Sequence, residues 1–586
     1  MTKFSDVIDY VAGNGFFYVF LILLVNGCNI PVSMMHTSAV FISNTPKFRC
    51  YIDEIDNPSH TWNNNVTGNN IAHMFLPWKE GKQSYDSCRR KIYNLSSCDE
   101  ANIECVRGLV ATNATFTSVS CNGSYLFDHS VFKSTTVTEW NLVCDRATLK
   151  TISTSIYFLG VFFGSVMAGV LSDKFGRVFI LRVASVVSAI IIALNGISPN
   201  VYVFYLLQFL TGVVCMGTIM SSVVYAIEIA KEKHRLLAGI FCNVMFGVGC
   251  ALFSVIAYFI RDWRNIEFAV ALLFVPCILD AFIMVESPRW LYGRNRTDEA
   301  KESCKRIARM NGVKFDDGIW DNLDDKPKSS EESHNSLTEI FVRPYSRFLI
   351  CSVMFIWAVT SLVYYGLILN GGSLAGDIFW NNALGGLVEV FADITFYFMV
   401  LKVGVRNLVA TTLFIASFSC IASTVVAQTG SGNTALETLG LIFAMIGRFG
   451  TSGSFAMIFV QCPQLFPTSG RTTALGLSSM AARIGSILSP FTIQVQEDIP
   501  WLSPVIFGIL AFFAASLALT FPRTSGKPLT MNFDEAEKVF KIHYQKNVFP
   551  RIPFMKTKRV TADTDLEETK KMVSADSPST AYTSDC

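Results

Sequence analysis

The chain has 586 residues, of which 51% are hydrophobic and only 16% are charged. Its mean hydropathy of +0.39 excludes an ordinary soluble domain and favours a protein that lies largely within a lipid bilayer. The formal net charge of +2 gives no reason to expect a nucleic-acid partner. The first residues, MTKFSDVIDY, lack the features of a secretory signal peptide, so the first apolar stretch is predicted to remain as a membrane span.

Twelve stretches are apolar and long enough to cross a bilayer, because about 20 helical residues span ~30 Å of hydrocarbon. They form two sets of six: 15–36, 151–171, 178–198, 201–227, 236–260 and 266–285, then 347–369, 380–400, 407–427, 436–460, 472–492 and 502–521. The predicted fold class is therefore an all-α polytopic membrane protein with twelve transmembrane helices in two six-helix halves.

Lys and Arg in short loops indicate the cytoplasmic side of a membrane protein. These residues occur in the links 172–177, 229–235, 286–346, 401–406 and 468–471, and they are absent from 198–200, 370–379, 428–435 and 493–501. Only the 261–265 link, with Arg261 and Arg264, breaks the alternation. The predicted division of the chain is a cytoplasmic N-terminus (1–14), a first span (15–36), an extracellular loop (37–150), the rest of the N-terminal half (151–285), a cytoplasmic linker with helices (286–346), a C-terminal half (347–521) and a cytoplasmic tail (522–586).

The predicted extracellular loop carries two features of an oxidising compartment. It holds six cysteines, which are candidates for disulfides: Cys50, Cys88, Cys98, Cys105, Cys121 and Cys144. It also holds four N-glycosylation sequons, at Asn65, Asn94, Asn113 and Asn122. The spacing leaves the disulfide connectivity open.

Paired sequence features indicate that the two halves are duplicates. LSDKFGR (171–177) lies between the second and third spans, and the degenerate copy LKVGVR (401–406) lies in the corresponding link of the second half. Glu228 precedes Arg235 by seven residues at the end of the fourth span, and Gln464 precedes Arg471 by the same seven at the end of the tenth. Duplicated transporter folds place their substrate site near mid-membrane, where the halves meet.

These residues resemble known transporter signatures. The stretch GVLSDKFGR (169–177) resembles the loop signature of the major facilitator superfamily, whose halves rock about a central cavity. TEWNLVC (138–144), ESPRWL (286–291), SLVYYGL (361–367) and FPTSGR (466–471) resemble the solute carrier 22 organic ion transporters. AYFIRDWR (257–264) and AGDIF (375–379) are similar to the organic cation/carnitine branch. The resemblance implies a carrier of small organic ions with a large glycosylated first loop.

Four ionisable residues lie deep in predicted spans, where a charge costs on the order of 3 kcal/mol and usually faces a cavity or a partner. Glu389 and Asp393 are four residues apart on one helix face, and Arg448 and Arg483 lie in the tenth and eleventh spans. One interpretation is an internal salt-bridge network. The other is a substrate site, in which Arg483 binds a carboxylate, Glu389 balances an organic ammonium and Asp393 is the partner of Arg448.

Further candidates complete the predicted site and its gate. Trp357, Tyr364 and Tyr365 offer ring faces to a cation, although packing against other helices would explain the same residues. The predicted cytoplasmic gate consists of Asp173, Arg177, Glu228, Arg235 and Arg471, which would pair when the cavity faces outward.

The chain has no phosphate-binding loop, HExxH or GxSxG motif, so no enzyme activity, cofactor or metal is predicted. The predicted function is facilitative or secondary-active transport of organic cations or zwitterions such as carnitine-like compounds across the plasma membrane. An organic anion exchanger is the alternative, and a non-transporting receptor and a channel are the rival classes. Coupling to sodium or protons stays open. The tail beyond 522 is predicted to be disordered, and its terminal TSDC predicts no PDZ partner, since Cys replaces the usual aliphatic residue.

Overall fold

The computed structural model describes residues 4–12, 16–52, 72–79, 84–93, 108–110, 112, 115–121, 123–321, 323, 336–373, 376–429, 433–467, 470–524 and 533–547. Within these ranges the chain forms 22 α-helices and six short strands, numbered α1 to α22 and β1 to β6 in chain order.

The N-terminal half is a bundle of long apolar helices. Its first span consists of three consecutive helices, α2 (Phe16–Gly27), α3 (Asn29–Thr37) and α4 (Ala39–Ile42). The remaining five are α7 (Ala147–Phe175), α8 (Arg177–Asn195), α9 (Val201–Ile229), α10 (Arg235–Ile260) and α11 (Trp263–Ile283). Gly176, at φ 106°, separates α7 from α8 and allows the sharp reversal that the sequence predicts there.

The C-terminal half repeats this architecture. Its helices are α16 (Pro344–Leu369), α17 (Ile378–Val403), α18 (Val405–Thr429), α19 (Thr434–Leu465), α20 (Arg471–Asp498) and α21 (Leu502–Leu519). Ten helical segments in the described ranges are long and apolar enough to cross a membrane, and α11 and α20 lie at the positions of the sixth and eleventh predicted spans. Large apolar side chains such as Phe259, Leu272 and Leu401 point outward, as a lipid-facing surface requires.

The two halves meet along two helix pairs. Helix α10 packs on α17 so closely that a Cβ on Gly386 would lie 2.6 Å from the Ala251 nitrogen. Helix α7 packs on α20, where the Ser155 hydroxyl donates to the Ile487 carbonyl at 3.0 Å. The absence of a side chain at Gly386 therefore permits the backbone contact between the halves.

The end of the bundle next to residues 43–146 is called the loop end here, and the end next to residues 286–343 is called the linker end. At the loop end, three antiparallel strand pairs form: β1 (Phe48–Cys50) with β6 (Tyr125–Phe127), β2 (Trp78–Lys79) with β3 (Ser84–Tyr85), and β4 (Arg89–Tyr93) with β5 (Phe116–Ser120). Disulfides join Cys50 to Cys121 and Cys88 to Cys144. Cys98, Cys105 and the four sequon asparagines lie outside the described residues.

Arg264, one of the two residues that break the charge alternation, has a local structural role. It forms an ion pair with Glu139 on α6 (Thr136–Trp140) and donates hydrogen bonds to the carbonyls of Gly196 and Ser198. Trp263 donates to the same Glu139 carboxylate at 2.8 Å. The positive charge at this link therefore attaches the loop to the start of α11.

Segments outside the spans pack on the linker end. Helix α1 (Phe4–Ala12) buries Val7, Ile8 and Val11 against α13 (Thr297–Met310). The linker also contains α12 (Pro288–Gly293), α14 (Asp317–Asp321) and α15 (Ser336–Val342), and α5 (Ala72–Phe75) lies in the loop.

The prediction of a disordered tail is wrong for residues 533–547, which form α22 (Phe533–Asn547). Phe533, Ala536 and Phe540 lie on one face of this helix and are buried in the apolar core of the C-terminal half. Glu537 accepts hydrogen bonds from the backbone nitrogens of Tyr345 and Ser346 at 3.1 Å each, at the start of α16. Apolar burial and a charged cap thus order a segment whose overall composition is hydrophilic.

Candidate functional site

The C-terminal half contains a buried ion pair. Arg448 on α19 donates from Nε to Glu389 Oε1 on α17 at 2.8 Å, and their side chains are 3% and 2% exposed. Gly385 lies one turn before Glu389, and a Cβ at this position would lie 2.0 Å from Arg448 Nη1. The glycine therefore provides the space that the guanidinium occupies.

Asp393 does not have the role proposed from the sequence. Arg448 pairs with Glu389, and the contact that Asp393 makes is with Ser452, whose hydroxyl donates to it at 3.4 Å. Both acids lie on the same face of α17, so the spacing alone could not choose between them. The space beside Gly385 brings the guanidinium to Glu389 instead.

Arg483 lies where the two halves meet. This side chain on α20 is 5% exposed and makes electrostatic contact with His36, Tyr157 and Tyr365, which belong to α3, α7 and α16. Among the described residues it makes no ion pair, and its Nε has no hydrogen-bond partner. Tyr365 is a hydrogen-bonding neighbour of this guanidinium, but the Nε–H group is unused, so it can donate to an anionic ligand.

Tyr365, which contacts Arg483, belongs to a group of packed aromatic rings. The Tyr365 ring lies 4.6 Å from the Phe158 ring and 5.1 Å from the Tyr364 ring. Tyr364 in turn stacks on Phe455 at 5.3 Å. Tyr365 thus joins both halves.

Trp357, the third aromatic candidate, lies apart from this group. It packs on Phe459 at 4.5 Å within the apolar core of the C-terminal half. Phe459 lies about three helical turns beyond Arg448 toward the linker end. The structure therefore places Trp357 in packing rather than beside Arg483.

The sequence analysis missed His36. Its Nδ1 lies 3.0 Å from the Val32 carbonyl oxygen and 2.8 Å from the Tyr157 hydroxyl oxygen, and its ring lies 6.3 Å from that of Tyr365. The signal was present, because a histidine in an apolar span is itself an ionisable group at membrane depth.

Three of the predicted gate residues come together at the linker end. Arg177 pairs with Asp173 at 2.7 Å and with Glu228 at 3.0 Å, and it also donates to the Ser172 carbonyl. Glu286 of the linker accepts hydrogen bonds from the backbone nitrogens of Arg177 and Val178, at 2.9 and 3.1 Å. The start of α8 is therefore held by acids from three other segments.

The other two gate candidates are not in these ion pairs. In the described ranges, Arg235 and Arg471 each retain a buried guanidinium nitrogen without a hydrogen-bond partner. Arg289 of α12 lies near both Glu228 and Arg235, and burial, together with the Arg235 charge, lowers the pKa of the Arg289 guanidinium. Gln464 accepts a hydrogen bond from Thr524 at 2.9 Å, so the C-terminal counterpart of Glu228 makes a neutral contact.

A cavity of about 420 Å³ opens between the halves at the loop end. Its walls include Asn44 and Lys150 from the N-terminal half and Asn370, Gln494 and Gln496 from the C-terminal half. Lys150 donates to Thr45 at 2.8 Å, and Gln496 donates to Asn370 at the same distance. Gln494 also donates to Thr148 at 3.0 Å, so a hydrogen bond links the two halves beside this cavity.

Two helical halves around buried charges and aromatic rings define a secondary transporter of the major facilitator class. Comparisons with known proteins agree. The "Sugar (and other) transporter" family profile matches residues 110–535. The chain is 29% identical over 550 residues to "Organic cation/carnitine transporter 2" of Homo sapiens, covering 93% of this chain and 96% of that protein.

A second relative and a solved structure extend this result. The chain is 32% identical over 422 residues to "Organic cation transporter protein" of Drosophila melanogaster, covering 71% of this chain and 76% of that protein. The proton:xylose symporter XylE, bound to 6-bromo-6-deoxy-D-glucose, has the same fold, with a TM-score of 0.54 at 16% identity over 89% of this chain and 99% of XylE. The chain therefore belongs to the sugar (and other) transporter family, and a solute carrier family 22 member is among its relatives.

Proposed function

We propose that this protein carries small organic ions across the membrane by alternating access, and that Arg483 binds a carboxylate of the substrate. The observation that carries the proposal is the guanidinium of Arg483, buried between the halves with an unused Nε donor. A buried charge without a partner is costly, so an anionic ligand that reaches it is bound strongly. The planar guanidinium can hold a carboxylate through two parallel hydrogen bonds.

The positive end of the substrate would lie against aromatic rings. Tyr365 contacts Arg483, and Tyr364 lies against Tyr365 on the side of Glu389 and Arg448; ring faces attract ammonium groups. Glu389 is a weaker candidate for the ammonium because its charge is already balanced by Arg448. Zwitterions that carry both a carboxylate and an ammonium therefore fit this arrangement best, in keeping with the names of the cation and carnitine carriers among the relatives.

Organic anion exchange is the second candidate. The Glu389–Arg448 ion pair favours anion exchange. Arg448 neutralises Glu389, so the positive charge of Arg483 remains for an anionic substrate. A substrate with a carboxylate and no ammonium would then suffice.

The proposed orientation places the loop end outside the cell and the linker end in the cytoplasm of a plasma-membrane carrier. The charge alternation and the cysteine-rich loop support this orientation. The ion pairs of Arg177 would then hold the cytoplasmic ends of α7, α8 and α9 together.

Uptake by cells expressing the protein tests these proposals. The probes are a labelled organic cation, a labelled zwitterion such as carnitine and a labelled aromatic carboxylate, each with and without sodium. Saturable uptake of the zwitterion with stimulation from the opposite side supports the first proposal. Uptake of the carboxylate alone supports the second, and single-channel currents or no uptake of any probe would contradict both.

A further inference from the structure

A second buried charge lies in the N-terminal half, away from Arg483. Glu267 lies on α11, about one turn from its start at Trp263, and is 1% exposed. In the described part of the chain, no Lys, Arg or His pairs with it, and its carboxylate oxygens accept no hydrogen bond of ordinary geometry, although the side chain of Asn195 is within reach. The helix next to it, α8, provides Asn195 as its polar contact.

The amide of Asn195 is the polar group beside Glu267. Its Nδ2 donates to Thr211 at 3.2 Å and has a second hydrogen that can be directed to the carboxylate, whereas the Thr211 hydroxyl donates its own hydrogen to the Leu207 carbonyl at 2.8 Å. Asn195 Oδ1 has no hydrogen-bond partner among the described residues, so it is an acceptor that a protonated carboxyl group could use.

Among the described residues, no charged group pairs with the carboxylate. The acids and bases on α3, α8, α9 and α10 are His36, Arg177, Arg182, Glu228 and Arg235, and α2 and α4, which also contact α11, carry none. The cysteines and tyrosines on α9 and α10 are Cys215, Cys242, Cys250, Tyr202, Tyr205, Tyr225 and Tyr258. Cys215 makes electrostatic contact with Glu267, and both side chains are fully buried. Arg177, Arg182, Glu228 and Arg235 lie toward the linker end, whereas Glu267 lies toward the loop end.

On its own helix, Arg264 is directed to Glu139, and Asp280 lies toward the opposite end of α11. Among the described residues, the carboxylate therefore has no compensating positive charge beside it.

We propose that Glu267 is a proton-binding site of the carrier. A proton removes the cost of burying the charge and turns one carboxyl oxygen into a donor for an acceptor such as Asn195 Oδ1, which has no partner among the described residues. A hard metal cation fits less well, because such ions take about six or more oxygen ligands and Asn195 is the side chain in hydrogen-bonding reach among the residues described.

The coupling of this proton to transport rests on the proposed function. The carboxylate takes a proton from the aqueous phase on one side, one O–H bond forms, and the same bond breaks when the proton leaves on the other side. No other reactant takes part. Glu267 lies in the N-terminal half beside Asn195 of α8 and Cys215 of α9, so its protonation would change the charge of this half and, in a carrier whose halves rearrange, couple protons to transport.

Thermal unfolding of the purified full chain tests the site without any substrate. Burial penalises the charged carboxylate in the folded state only, so the wild type is expected to lose stability as pH rises from 5 to 8.5. Glu267→Gln, which cannot ionise, is expected to lose less, by at least ~2 °C in unfolding temperature over that range. The control is Glu437→Gln, at an exposed position on α19. Parallel curves for wild type and Glu267→Gln would overturn the proposal.

Uptake then tests the coupling. Cells that express the wild type are expected to take up more of a transported probe at pH 5.5 than at pH 8, and their interior is expected to become more acidic during uptake. Glu267→Gln is expected to lose both responses. The control Glu437→Gln is expected to keep them. Loss of the pH response in Asp393→Asn but not in Glu267→Gln would overturn the assignment. A sodium requirement that disappears in Glu267→Gln would do the same. A chain that transports no probe contradicts the proposed function, whereas the unfolding result still decides whether Glu267 binds a proton.

Discussion

The two halves form their ion pairs at different levels of the helical bundle. In the C-terminal half the ion pair lies at the centre, between Arg448 and Glu389, and the linker end has the neutral contact of Gln464 with Thr524. In the N-terminal half the ion pairs lie at the linker end, around Arg177, while the buried acid Glu267, toward the loop end, makes no ion pair in the described part of the chain. Duplication therefore preserved the helices and the spacing, but the two copies have different electrostatic roles.

The largest effect is expected from breaking the central pair. Arg448→Met leaves Glu389 buried without its partner, which costs about 3–5 kcal/mol. The double variant Glu389→Leu/Arg448→Met removes both charges and is expected to recover most of that loss. Unfolding temperature and surface expression measure both variants. A single variant as stable as the double variant would show that the pair is not a structural unit.

The next effect tests the linker end of the N-terminal half. Arg177→Met removes two charged contacts and is expected to cost about 1.5–3 kcal/mol. Its matched control is Arg406→Met, because Arg406 occupies the corresponding link and bonds the neutral Phe521 carbonyl and Asn407.

Arg177→Met and Arg406→Met are compared by the rate of chemical modification of Cys242, a buried thiol two turns from the linker end of α10. An impermeant thiol reagent applied from the linker side should react faster with Cys242 in Arg177→Met than in the control. Equal rates in the two variants would contradict the gate assignment.

The smallest effect compares two glutamates that cap helices from outside the spans. Glu537 of α22 accepts hydrogen bonds from two backbone nitrogens at the start of α16. Glu286 accepts hydrogen bonds from the backbone nitrogens of Arg177, Val178 and Phe179 at the start of α8. Glu537→Gln is expected to lower the free energy of unfolding by about 1 kcal/mol. Glu286→Gln is expected to lower it somewhat more, because Glu286 accepts a hydrogen bond from one more backbone nitrogen at the helix start than Glu537 does. Hydrogen exchange at residues 344–348 should rise in Glu537→Gln alone.

Much of the fold is readable from sequence because hydrophobic length and periodicity determine helices in a bilayer. The twelve apolar stretches, the reversal at Gly176 and the approach of Arg177 to Glu228 all follow from such patterns. The order of residues 533–547 was also available, since Phe533, Ala536 and Phe540 repeat at helical spacing. It was missed because the composition of the whole tail outweighed this local pattern.

The details of the site depend on packing between helices that are distant in sequence. Glu389 and Asp393 are equivalent by spacing, and only the room beside Gly385 selects Glu389 for Arg448. The contact of Arg483 with His36 joins the eleventh span to the first, which no local pattern predicts. His36 and Glu267 could have been found by counting every ionisable residue in the predicted spans.

The most direct test of the central claim is initial-rate uptake of a labelled zwitterion by Arg483→Ala, normalised to the amount of protein at the cell surface. The control is Arg309→Ala, an exposed arginine on α13. Loss of a charged hydrogen bond to the substrate predicts at least a ~10-fold lower rate for Arg483→Ala, with Arg483→Lys recovering part of it. An Arg483→Ala rate equal to that of the wild type would contradict the assignment of Arg483 to the substrate site.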